Sequence, residues 1–223
     1  MSKIAVLPQD RCAVTNAMTS TNEFLEKAQQ LIEAGRFIDS KGWVPATSGN
    51  FSARLSDGTI AITVSGKHKG QLIQEDIMLI NAQGHSLDGK KPSAETLLHT
   101  AVYRRFPDVQ AILHPHSLNS TLVSRLFKDE IVLDDYELLK ALPDIDTHET
   151  QTVIPIFAND QNIHRLSEKI DRYMDSRGPI HAYIIAGHGF YTWGKSVKDA
   201  LRHVEALEFL FDCEIRLYGA QNR

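Results

Sequence analysis

The chain has 223 residues, 42% hydrophobic and 23% charged, which is ordinary for a globular protein and excludes a fibrous or low-complexity chain. Twenty-four Lys and Arg against 28 Asp and Glu give a formal charge of −4, which argues against a nucleic-acid partner held mainly through phosphate neutralisation. Two cysteines outside any CxxC pattern, and no apolar run approaching a membrane span, point to a reducing cytoplasm and no membrane partner. Ten histidines is the one unusual count.

Residues 1–19 read as a poorly specified tail without a signal peptide. Ser20-Thr21-Asn22-Glu23 has the capping-box pattern, and Phe24, Ala28, Leu31, Ile32 and Ile38 recur at helical spacing. A helix is therefore predicted from about residue 20 to Lys41-Gly42. Alternation of Phe51, Ala53 and Leu55, the Asp57-Gly58 turn, then Ile60, Ile62 and Val64 predict a β-hairpin. Residues 77–80 read as a third strand.

Pro92-Ser93-Ala94-Glu95 is predicted to open a second helix, with Leu98, Ala101, Val102 and Phe106 as its apolar stripe and Pro107 as its stop. Residues 111–114 form a short buried strand, and Ser117 caps a helix through Phe127. Residues 136–142 are briefly helical or irregular. A strand over 153–157, an amphipathic helix over 161–174, strands over 182–186 and 191–193, and a long helix over 196–217 follow. With no repeat and no Gly/Ser linker, residues 20–223 read as one α/β domain with a mainly antiparallel sheet.

Several patterns carry chemistry. In His114-Pro115-His116, residues i and i+2 of an extended chain point to one side, so two imidazoles can grip one divalent ion. Two strand-end histidines without function show the same spacing. His188, between Gly187 and Gly189, also follows an apolar strand, and three histidines with an open position make a catalytic metal pattern. It is equally readable as a turn residue. Thr47-Ser48-Gly49-Asn50 and Ser65-Gly66-Lys67 offer hydroxyls and glycine-exposed N–H groups to a phosphate, with Lys67 or Lys69 adding charge; each loop alone is more often a turn. Ser93 at a helix start suits an anion. Glu95 there reads first as a residue complementing the helix dipole. Glu137 reads either as a solvated partner of Lys140 or as a general acid/base.

Taken together and in order, ATSGNFSAR, TVSGKHKG, KPSAETLLHTAVYRRFPDVQAILHPHS and AYIIAGHGFYTWG resemble the class II aldolase/adducin family over residues 20–217. The resemblance implies a three-layer α/β/α sandwich around a mainly antiparallel sheet. It implies a divalent metal, usually zinc, on His114, His116 and His188, and commonly a homotetramer with sites near subunit interfaces. Gly49, Asn50, Ser65, Gly66, Lys67 and Ser93 would hold the phosphate of a small sugar-phosphate substrate. Glu95 would be an acid/base or a fourth ligand. Ala94 stands where the family often has a second hydroxyl, so one phosphate contact is expected to be missing or replaced.

The segments DYELLKAL, VIPI and GFYTWG resemble a dehydratase branch, in which Glu137 would move protons. An aldolase or epimerase centred on Glu95, with Tyr218 as a proton donor, and a non-catalytic adducin-like interaction domain are the alternatives. His99 reads as a half-buried core residue before a site neighbour, and His68, His85, His148, His164, His181 and His203 as loop or surface positions.

Overall fold

A computed structural model describes the backbone of residues 8–222 and side chains from Thr21 to Asn222. The expected 1–19 tail lies outside the described residues over 1–7. From Pro8 onward the backbone is already helical: α1 (Pro8–Ser40) runs straight through the Ser20 capping box. Proline suits a first helical turn, and the helix runs on through Gly35 with no further proline to break it. Gly42, at φ +74°, ends the helix as expected, its N–H donating to Asp39 O at 2.8 Å.

β1 (Asn50–Arg54) and β2 (Ile60–Thr63) form the predicted hairpin, with Ser52 opposite Ile62, and β3 (Ile77–Ile80) adds antiparallel to β2. α2 (Thr96–Arg105) starts four residues later than Pro92. Thr96 N–H bonds to Ser93 O at 3.1 Å and Leu98 N–H to Glu95 O at 2.9 Å, so 92–95 is a tight turn. Glu95 occupies the cap position without capping, because its carboxylate is directed at histidines.

β4 (Ala111–His114) leads into α3 (Leu118–Leu126), capped by Ser117 Oγ accepting from Ser120 N–H at 3.1 Å. β5 (Glu130–Asp134) was not predicted. Its exposed–buried alternation places Ile131 and Leu133 inward, but charged ends and a length of five residues make it read as loop. A 3-10 turn over Glu137–Ala141 separates it from β6 (Gln151–Phe157). Then follow α4 (Ile163–Arg177), β7 (Ala182–Ile185), β8 (Gly189–Gly194) and α5 (Val197–Gln221).

Among the described residues eight strands lie in the order β3-β2-β1-β4-β8-β7-β6-β5, and only β6–β7 is parallel. Strand alternation divides the core. Phe51, Leu113, Ile184 and Phe190 pack under α1, α3 and α5, whereas Ile62, Ile112, Tyr183 and Tyr191 pack under α2 and α4. The three-layer α/β/α sandwich with a mainly antiparallel sheet is therefore what these residues build. Among the described residues, no helix is long and apolar enough to cross a membrane.

α5 packs on α3 around a buried acid. Glu208, 2% exposed, accepts from Asn119 Nδ2 at 3.1 Å. Burial pushes its carboxyl up to about 7, against hydrogen bonds from Ser117 and Asn119. The raised value means that the native state favours the protonated acid. Its stabilising contribution is complete below about 4.5, the ordinary value, and is lost as pH rises through about 7. Glu208→Gln is expected to flatten the fall in melting temperature between pH 5 and 8. The wild-type-minus-variant difference should be on the order of 3 kcal/mol at most. Parallel pH profiles of the two proteins would refute this.

Candidate metal centre

The ends of β1 and β4 and the turn before β8 meet beneath the start of α2. Asn50 lies opposite His114 in the β1–β4 ladder, on the face that α2 covers. Gly189 lets β8 approach the His114–His116 segment. A Cβ there would stand 2.3 Å from Pro115 O and 3.0 Å from both the His114 and His116 rings. Gly189→Ala is thus expected to separate His188 from the other two histidines. It should cost about 1–3 kcal/mol by overpacking and weaken metal binding at least about tenfold. Thermal melts and metal titration check both.

His114 is fully buried and stacks on Tyr191, centroids 3.8 Å apart and planes 12° from parallel. Its Nδ1 lies 2.8 Å from Phe190 O. A carbonyl only accepts, so Nδ1 carries the proton and Nε2 presents a bare lone pair. His116 Nε2 is 2.9 Å from that lone pair. Glu95 reaches in from α2, its Oε2 3.6 Å from His114 Nε2 and its Oε1 2.9 Å from His188 Nε2.

One ligand atom from each of Glu95, His114, His116 and His188 lies within 4.8 Å of the others. Two ligands on one tetrahedral ion sit about 3.4 Å apart when bonds are about 2.1 Å long. The observed separations bracket that value, so this donor set fits a divalent metal. Burial holds His114 well below its usual value and lowers His116 to about 4, so both are in the neutral, ligating form. Burial raises Glu95, but the His188 hydrogen bond and the neighbouring imidazoles outweigh it and hold the carboxyl down to about 2.

Beside this cluster opens a cavity of about 290 Å³, lined by Thr47, Ser48, Gly49, Asn50, Thr63, Ser65, Gly66 and Ser93, with Glu95, His116 and His188 at one end. The two small-residue loops, far apart in sequence, face each other here. Lys69 ties them together beneath, donating to Thr47 O at 3.1 Å and Lys67 O at 2.6 Å. Burial lowers Lys69 to about 8 despite the Glu95 charge. Ser93 Oγ accepts from Glu95 N–H at 3.3 Å and lies 3.4 Å from Asn50 Nδ2, which leaves its own O–H for an anion. Ala94 is exposed and does not line the cavity.

Two expected site residues are not brought in. Lys67 is half exposed and paired with Asp76 at 2.8 Å, outside the cavity wall. Glu137, 74% exposed in its side chain, pairs with Lys140 at 2.8 Å and lies 3.6 Å from His148. The Lys140 hydrogen bond lowers its carboxyl below the usual range. His99 corrects the sequence reading: it is fully buried and hydrogen-bonded within the site's support. His203 is also buried, its Nδ1 2.7 Å from Trp193 O, because its helix face packs on β8. Tyr191, Ser52 and Tyr103, which also support the site, read in the sequence only as strand and helix residues.

A sandwich of this topology with three histidines and a glutamate converging at strand ends defines a class, and comparison agrees. Residues 29–215 match the Class II Aldolase and Adducin N-terminal domain, and the chain belongs to that family. It is 68% identical over 199 residues to the methylthioribulose-1-phosphate dehydratase of Methylococcus capsulatus, covering 89% of this chain and 98% of that protein. It is 53% identical over 196 residues to the protein of the same name in Pseudomonas syringae pv. syringae, covering 87% and 96%. The crystal structure of L-fuculose-1-phosphate aldolase from Thermus thermophilus shares the fold, with a TM-score of 0.72 at 22% identity over 90% of this chain and 99% of that one.

Proposed function

We propose that the chain acts as a methylthioribulose-1-phosphate dehydratase. It is a lyase removing water from 5-methylthioribulose 1-phosphate to give 2,3-diketo-5-methylthiopentyl 1-phosphate, a step of methionine salvage in the cytoplasm. The observation that carries this is the convergence of three imidazoles and Glu95 at the end of a hydroxyl- and glycine-lined cavity. The high identity to dehydratases over nearly their whole length supports the choice of substrate.

In this reading residues 20–223 form one domain, and His114, His116 and His188 hold one zinc ion per subunit with Glu95 beside them. The ion supplies Lewis acidity that makes the hydrogen on carbon 3 of the substrate acidic. The Thr47–Asn50 and Ser65–Gly66 loops and the Ser93 hydroxyl bind the phosphate, with Lys69 adding positive charge behind them. Held at its phosphate, the substrate presents carbons 2 to 4 to the cluster without paying orientation entropy at each encounter. Glu137 takes the carbon 3 proton or delivers one to the hydroxyl leaving carbon 4. Because Glu137 is exposed and outside its own chain's cavity, we assign it to the site of a neighbouring copy in a homotetramer.

The test is a product assay on methylthioribulose 1-phosphate with metal analysis of the same sample. Stoichiometric zinc and release of the diketone phosphate are expected. A three-carbon phosphate with an aldehyde would place the chain among the aldolases, and loaded protein that leaves the substrate unchanged would refute the assignment.

A further inference from the structure

α2 and β1 face each other with matched steps. Glu95, His99 and Tyr103 follow one another every four residues along one side of α2, about 6 Å per step. Asn50 and Ser52 follow every second residue along β1, about 6.6 Å per step. The side chains interleave. Asn50 Nδ2 donates to Glu95 Oε2 at 2.7 Å, and Asn50 Oδ1 contacts His99 Nε2. Ser52 Oγ lies 2.8 Å from His99 Nδ1 and 2.9 Å from the Tyr103 hydroxyl. His99 and Ser52 are completely buried, and the Arg54 guanidinium covers the Tyr103 ring at 4.6 Å.

The direction of every bond in this chain follows from its first member. An ionised Glu95 only accepts, so Asn50 must turn its amide nitrogen toward it. Asn50 Oδ1 then faces His99 and requires a donor, which fixes the proton on His99 Nε2. A buried neutral imidazole has one proton, so Nδ1 accepts from the Ser52 hydroxyl. The Ser52 oxygen in turn accepts from Tyr103. Burial keeps both His99 and Tyr103 uncharged, lowering His99 to about 3 and raising Tyr103 above its ordinary value. A flip of the Asn50 amide would set its oxygen against the Glu95 carboxylate and its nitrogen against the His99 proton.

We propose that His99 is a positioning residue of the metal centre: it locks the Asn50 amide in the one orientation that holds Glu95 in the ligand cluster. The inference rests on the ligand set assigned above but not on the identity of the substrate.

Two substitutions separate the hydrogen bonds from the packing. His99→Gln keeps a donor for Asn50 and an acceptor for Ser52, whereas His99→Phe keeps a planar ring and neither bond. Zinc affinity, measured by competition with a chromogenic chelator, is expected to stay within about threefold of wild type in His99→Gln and to fall about 10–100-fold in His99→Phe. Turnover should fall with it, while both variants melt cooperatively. A cooperatively melting His99→Phe that binds zinc like wild type would overturn the proposal, as would a His99→Gln as weak as His99→Phe. Should His99→Phe not fold, nitrogen NMR of histidine-labelled wild-type protein decides. A His99 ring protonated at Nε2 and bare at Nδ1 from pH 5 to 8 supports the lock; the other tautomer or a charged ring overturns it. Wild-type protein that binds zinc but leaves methylthioribulose 1-phosphate unchanged would defeat the substrate assignment and leave these readouts standing.

Discussion

His116→Ala is expected to lower turnover by about a thousandfold and to leave the purified protein with far less than one metal ion per chain. A Lewis acid supplying several kcal/mol at the transition state accounts for that factor, at about 1.4 kcal/mol per decade. His116 is the informative position because its ring packs against His114 and His188, its Nε2 2.9 Å from His114 Nε2, and among the described residues no backbone carbonyl accepts from it. The variant should therefore keep its fold. His114→Ala should lose the metal as well, but it also removes the bond to Phe190 O and the stack on Tyr191, so its melting temperature should drop. Metal analysis and thermal melts of the two variants check the distinction. An active, metal-loaded His116→Ala would remove that residue from the ligand set.

Glu137→Gln is expected to abolish most turnover, by about 10²–10⁴-fold for a lost general acid/base, while metal content stays at the wild-type level. Among the described residues the carboxylate pairs with Lys140 and His148, so the substitution leaves the cluster and the core intact. Retained activity would move the role to Glu95, which already sits among the imidazoles. Mixing separately inactive Glu137→Gln and His116→Ala chains tests where Glu137 acts. If it serves a neighbouring copy, random reassembly restores sites with both native residues, approaching about a quarter of wild-type activity. No recovery would confine each site to one chain.

The three candidate histidine ligands are legible in the sequence because each stands in a short pattern with a geometric meaning. His114 and His116 are two apart at the end of a buried strand, and His188 stands between glycines at the end of another. The glycine-rich loops were legible as turns, but that they face one another across one cavity depends on β1 and β2 pairing while Lys69 bridges their backbones. β5 was missed because its two buried residues are too few to show a period against charged neighbours. His99 was misjudged for a different reason. A helical histidine among apolar residues has the same pattern whether it is packing or hydrogen bonding, and only the register between α2 and β1 tells the two apart.

That register has a consequence for how the protein matures. Neighbouring residues of a strand point to opposite faces, so sliding β4 by one position against β1 would bring Leu113 to the rim and turn His114 into the opposite layer. Such a slipped chain still pairs its backbone, yet it offers no complete ligand set. Metal capture therefore discriminates between correctly and incorrectly zipped sheets, and the free energy of binding is added only to the former. A bound ion would in this sense proofread the fold.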